Sequence, residues 1–249
     1  MKKFLSLIAA LAFLSMAYGT VPEKSVDATV MVTADENIGT GVVFHNGKRT
    51  FIWTAAHVLT GDSRDVTLKQ PIVKDGKHIG ETNHCGKIIR LCSKGDIAVI
   101  EANDNTWLKT SVKFAQKRHV PKIGSHVWHV GSMQGEAGIS SLFKGYISFN
   151  GRTIDSYYFD QVQVTAHVGC SGGGIFNADN GECIGLMVRF LISSNHTPNA
   201  MLIVPTRRLW EFSKENDCLW AMDNTVDVPN EVHSIINGVS SQKKMPPAK

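Results

Sequence analysis

Charge is scarce in this chain. Only 19% of its 249 residues are Asp, Glu, Lys or Arg, too few for a segment kept unfolded by its own solvation. The hydrophobic share of 43% is enough for a buried core. Prolines number eight against 22 glycines, a balance that suits many tight turns. The five cysteines are an odd set, so a complete disulfide framework is excluded. Their spacings do not match a zinc site. Between Cys85 and Cys92 the run GKIIRL reads as strand. Fully extended, it would part the two Cα atoms by about 23 Å, where a disulfide needs ~6 Å. No concentrated basic stretch is present, which argues against a nucleic-acid partner. The net charge of +4 falls by two without Lys2 and Lys3, and Lys243, Lys244 and Lys249 lie in the last ten residues. There is no internal repeat.

Long apolar runs are missing beyond the first nineteen residues. Those residues, MKKFLSLIAALAFLSMAYG, carry two lysines, then an apolar stretch, then small residues at Ala17 and Gly19. That order describes a secretory signal peptide spanning 1–19. The apolar stretch is short for a bilayer span, which takes ~20 residues. The expected product is a secreted or periplasmic protein with no stable membrane insertion once the signal is removed.

The rest reads as β. DATVMVTA, GTGVVFHNGKRTFIWTAAHV, DVTLKQPIV, GDIAVIEA, HVWHVG, YISFNGR, FDQVQVTA and CIGLMVRFLI are short runs rich in Val, Ile, Thr, Phe and Trp, parted by Gly, Asn and Asp. Such spacing predicts a sandwich or barrel. HNGK predicts an Asn-Gly hairpin with positive φ at both central residues, and NADNGE a second hairpin. PTRRLWEFSKEN predicts one helix, with Leu209, Trp210 and Phe212 on its apolar side. A polar, basic stretch at 108–122 divides the strands, giving an N-terminal unit over 20–115 and a C-terminal unit over 116–220. The remainder, 221–249, reads as a polar tail ending in SSQKKMPPAK.

Three motifs carry chemistry. TAAH sets His57 after a strong strand, GDIAV sets Asp96 at the head of another, and GCSGGG sets Ser171 in a glycine turn. Each is ordinary alone; their order and flanks are not. Together they resemble the chymotrypsin-fold (trypsin-like) serine endopeptidases, closest to the compact bacterial Deg-type branch. GTGVVF at 39–44, FKGYISFNGR at 143–152 and AMLIVPTRRLWEF at 200–212 extend the likeness over about residues 26–214. The resemblance implies an all-β fold of two six-stranded antiparallel β-barrels with a short C-terminal helix. His57 and Asp96 would belong to the first barrel, Ser171 to the second, and the active site to the cleft between them. Deg proteases carry PDZ modules after this domain, and the stretch following the helix is too short for one.

Cys170 and Ser171 are both potential nucleophiles. In the family pattern the nucleophile is followed by two glycines, and in that frame Ser171 is the nucleophile. The resemblance then implies peptide-bond hydrolysis through an acyl-enzyme, without cofactor or metal. His57 would take the serine proton and return it to the leaving amine, while Asp96 holds the imidazole tautomer. Backbone N–H groups of Gly169 and Ser171 would form the oxyanion hole. The partners are protein or peptide substrates; the oligomeric state is not written in the sequence.

Two departures matter. Trypsin-like zymogens have Asp immediately before the nucleophile, and here Cys170 stands there, so that activation switch is absent. Gly174 occupies a position where proline is usual. The resemblance maps the primary pocket to Thr165, Val188, Arg189 and Phe190. Thr165 is not acidic, which disfavours cleavage after Lys or Arg. Arg189 suits an acidic P1 side chain, but the histidine that glutamate-specific relatives rely on is missing near Met187. Phe190 would narrow the pocket, and a small or medium apolar P1 is expected. His126 and His129, three apart on a strand, face opposite sides and argue against a metal site. His167 lies near Ser171. Asn195-His196-Thr197 is a glycosylation sequon. Two alternatives remain: a catalytically silent member of the fold that binds peptides or proteins, and a cysteine-dependent enzyme through Cys170.

Overall fold

The computed structural model describes residues 20–237 except Asp62, Gly76, Asn105 and 193–197. The signal-peptide segment, the sequon and the terminal SSQKKMPPAK lie outside the described residues. A short helix, α1 (Val21–Asp27), comes first. Thr20 and Glu23 form a capping box there, with the Thr20 N–H donating to Glu23 Oε2 at 2.6 Å.

Strands follow as β1 (Thr29–Ala34), β2 (Asn37–Asn46), β3 (Arg49–Thr54), β4 (Asp65–Lys69), β5 (Pro71–Lys74), β6 (Lys77–Glu81), β7 (His84–Cys92) and β8 (Ile97–Ala102). Six of them close a ring in the order β7-β4-β1-β2-β3-β8, while β5 and β6 make a side hairpin. The second group is β9 (His126–Met133), β10 (Gly138–Ile154), β11 (Tyr157–Gln163), β12 (Gly174–Asn177), β13 (Cys183–Ile192) and β14 (Pro198–Pro205). These six form a closed barrel in the order β10-β11-β14-β13-β12-β9. The chain then enters α2 (Thr206–Glu215) and ends its described part in β15 (Ile235–Asn237). The fold is therefore mostly β: one closed barrel, one six-stranded ring, and two short helices.

The β2–β3 turn differs in detail from the Asn-Gly reading. Asn46 pairs with Arg49, so Gly47 and Lys48 are the central residues. Of these only Gly47 has positive φ, +58°. Asn46 is drawn out of the turn because its Nδ2 donates to the carbonyls of Trp220 and Val226, each at 2.8 Å. Cys85 and Cys92 lie on the continuous strand β7 and neither is bonded; all five cysteines are free.

Trp53 anchors the core of the ring. It is fully buried, with its ring edge-on to Phe114 and Phe212 at centroid distances of 5.8 and 6.0 Å. Its Nε1–H donates to Ala221 O at 2.7 Å. Residues 221–237, which read as the start of a polar tail, thus pack back on the first ring. Val226, Val228 and Val232 touch its core, and β15 pairs in parallel with β7. The apolar residues there are too widely spaced to announce a regular element, and the contacts that hold them are long-range.

Candidate active site

The loop 168–173 lies against the first ring at Thr40. His57 sits in a 3₁₀ turn (Ala56–Leu59) directly after β3, and Asp96 immediately precedes β8. Because β3 and β8 are paired, Thr54 opposite Ala98, the two side chains emerge at the same end of the ring. His57 Nδ1 lies 3.0 Å from both Asp96 carboxylate oxygens, and the His57 backbone N–H also donates to Oδ1 at 3.0 Å. The carboxylate thus fixes the ring's orientation and keeps the proton on Nδ1, leaving Nε2 as acceptor.

His57, Asp96 and Ser171 line one cleft of about 420 Å³ with Ser93, Val188, Arg189 and Phe190. Thr165 is exposed, two residues beyond β11, and is not among the lining side chains; His167 is likewise exposed and outside it. No hydrogen bond joins His57 Nε2 to Ser171 Oγ. Such contacts commonly tighten only when substrate fills the site.

The loop 168–173 is held through its backbone carbonyls. Val168 O accepts from Gln134 N at 2.8 Å, and Cys170 O accepts from Gly173 N at 3.0 Å. In a trans peptide the N–H points opposite to the C=O. Pinning these two carbonyls therefore turns the N–H groups of Gly169 and Ser171 the other way, and neither is spent on another bond. Thr40 ties the loop to the first ring. Its N–H donates to Ser171 O at 2.7 Å, its hydroxyl donates to Gly169 O at 2.7 Å, and that hydroxyl accepts from Ser132 N at 2.8 Å. Two free, preorganised donors beside a serine can stabilise a developing oxyanion.

Gly169 has φ +93°, and a Cβ there would meet Ser132 O at 2.1 Å. Gly169→Ala is expected to push the 168–169 peptide out of place and slow labelling of Ser171 by a fluorophosphonate about 100-fold, the usual cost of one lost donor. An unchanged labelling rate in the folded variant would contradict this.

Cys170 is 1% exposed, and burial pushes its thiol pKa up. It does not line the cleft. A buried, protonated thiol is a poor nucleophile. Gly174 is required by packing, since a Cβ there would meet the Phe176 ring at 2.5 Å and Val42 Cγ1 at 2.6 Å.

A family model for the trypsin-like peptidase domain matches residues 39–186, more than half of the chain. The chain belongs to the trypsin-like peptidase family. The match spans His57, Asp96 and Ser171, and membership in a peptidase family implies protein substrates. No curated protein matches the chain. Thr40 and Gln134, which hold the loop around Ser171 in this peptidase, were missed from sequence. The only signal for Thr40 was its place between two glycines in GTG. Gln134 acts through its backbone and gives no residue-type signal.

Behind the loop, His129 is fully buried and faces the core, while His126 is exposed. Its Nδ1 lies 3.2 Å from Gly174 O, and Nε2 has no partner. Burial lowers its pKa from 6.5 to about 4. The unfolded chain therefore binds this proton near pH 6.5 and the folded chain only near pH 4. The stability contributed by the neutral ring is complete above about pH 6.5 and is lost as pH falls towards 4, on the order of 3 kcal/mol. Urea unfolding at pH 7.5 and 4.5 should show a larger acid loss in the parent than in His129→Leu. Equal losses would remove His129 from the account.

Proposed function

We propose that this trypsin-like peptidase is an exported serine endopeptidase working through His57, Asp96 and Ser171. The observation that carries the reading is the His57 imidazole bound to both oxygens of Asp96, in the same cleft as Ser171. Ser171 Oγ attacks the scissile carbonyl as His57 Nε2 removes its proton. The N–H groups of Gly169 and Ser171 stabilise the tetrahedral oxyanion, and His57 protonates the departing amine. Water then hydrolyses the acyl-enzyme by the reverse proton path. Export follows from the charged, apolar and small-residue order of residues 1–19. Val188 and the half-buried Phe190 in the cleft wall suit a small or medium apolar P1 side chain.

Labelling of the purified mature protein by a fluorophosphonate tests the reading. The parent and Cys170→Ala should label, and Ser171→Ala should not. A second reading, a silent peptide-binding member of the family, draws on the unbridged His57 and Ser171. A folded parent that never labels would favour it. Labelling lost in Cys170→Ala but kept in Ser171→Ala would favour the cysteine enzyme.

A further inference from the structure

The turn that presents Asp96 is held by one distant side chain. Asp96 has φ +55°, a left-handed conformation that Asp and Asn adopt more readily than other residues with a side chain. Its N–H donates to Ser93 O at 3.3 Å, and Gly95 N–H donates to Cys92 Sγ at 3.4 Å. The first is long, and the sulfur of the second is a weak acceptor. The carbonyl of the same 95–96 peptide is held more firmly. Gly95 O accepts from Arg208 Nη2 at 2.8 Å. Arg208 therefore sets the peptide plane from which the Asp96 side chain departs.

Arg208 comes from α2, more than a hundred residues along the chain, and is 4% exposed. Its second donor, Nη1, reaches Tyr158 O at 3.1 Å. Its Cζ lies 4.8 Å from the Tyr157 ring centroid and 4.7 Å from that of Phe159, both on β11 of the closed barrel. Among the described residues no carboxylate forms an ion pair with it; its neighbour Arg207 pairs with Asp160 instead. Burial works against its charge, and Tyr158, Tyr157, Glu211 and, least, Asp96 favour it. A buried cation without an ion-pair partner is an expensive way to pack a helix, and an apolar side chain of similar volume would serve packing as well.

We propose that Arg208 is a positioning residue for Asp96, a buried strut from the C-terminal helix that fixes the 95–96 peptide and so aims the carboxylate at His57. The proposal rests on the triad reading given above. Arg208 touches neither His57 nor Ser171; it acts through the turn. It also lines a surface cavity of about 470 Å³ together with Gly95, Tyr157 and Tyr158. A small cation can therefore reach its place when the side chain is removed.

Arg208→Met, Arg208→Lys and Arg208→Ala, made in the mature chain, test this with two readouts. The first is the fluorophosphonate labelling rate of Ser171, with and without added guanidinium chloride below its denaturing range. The second is the downfield proton resonance of His57 Nδ1–H, assigned by its loss in His57→Ala. The Met and Ala variants should label about 100-fold more slowly, the scale of a small misplacement of a reacting group. Arg208→Lys, which keeps the charge and one donor, should recover part of the rate. Guanidinium should speed Arg208→Ala and leave the parent unchanged. The Nδ1 proton resonance should be lost or shifted in Arg208→Met. Labelling within twofold of the parent in a folded variant, or an unaltered Nδ1 resonance, overturns the proposal. So does a rate loss that guanidinium and lysine both fail to restore. If Arg208→Met does not fold, the lysine and guanidinium results decide. If the parent itself never labels, the endopeptidase reading fails, and the Nδ1 resonance alone still decides the role of Arg208.

Discussion

Ser171→Ala is expected to lower proteolytic turnover on the order of a million-fold, the loss seen when a triad serine is removed. The fold should remain. Ser171 is only partly buried, and its side chain makes no hydrogen bond in the structure. Truncating it therefore leaves no buried polar group without a partner. The loop is held by backbone bonds that alanine keeps: Thr40 N to Ser171 O, Gly172 N to Met187 O, and Gly173 N to Cys170 O. Hydrolysis of fluorescein-labelled casein, set beside the melting temperature, checks both halves. Residual turnover within tenfold of the parent would remove Ser171 from the chemistry.

Asp96→Asn should cost about 10⁴-fold in turnover, again with the fold retained. Asn is a near isostere and one of the residues that tolerate the left-handed backbone at φ +55°. The carboxylate accepts from two donors of His57, the backbone N–H and Nδ1. An amide has one acceptor oxygen and one donor nitrogen, so it cannot satisfy both in the same way. Where the amide nitrogen faces Nδ1, the ring is driven to the tautomer with its proton on Nε2. That ring cannot accept the serine proton. Turnover of the same casein substrate reads the effect, and KM should move little because Asp96 lies beneath His57 rather than on substrate. A loss smaller than tenfold would mean that the carboxylate does not set the tautomer.

Much of the architecture was legible because strands announce themselves locally. Runs rich in β-branched and aromatic residues marked β1, β3, β8, β9, β11 and β13, and the run around Leu209 and Phe212 marked α2. The helix α1 was not seen; its seven residues sit between the apolar N-terminal stretch and a strand, and its cap is a Thr–Glu pair four residues long. The turn at Gly47 was misregistered by one residue because Asn46 is recruited by the distant carbonyls of Trp220 and Val226. His57, Asp96 and Ser171 were named from motifs, and Val188, Arg189 and Phe190 from the pocket positions of the family; these six line one cleft, and Thr165, named for the same pocket, does not.

Composition and turn residues determined the β class, the two groups of strands and the C-terminal helix, while the preference for Ser171 over Cys170 came through the likeness of its glycine frame to the family pattern. These are properties of neighbouring residues, and the chain states them directly. Only the tertiary structure decided that Cys170 is buried away from the cleft, that Gly174 is held against Phe176 and Val42, and that residues 221–237 fold back onto Trp53. It alone showed Thr40, Gln134 and Arg208 gripping the peptides around Ser171 and Asp96. All three donate to backbone carbonyls far along the chain, Arg208 through its side chain, Gln134 through its backbone N–H and Thr40 through both. A carbonyl is the same in every residue, so no side-chain pattern records which one is held.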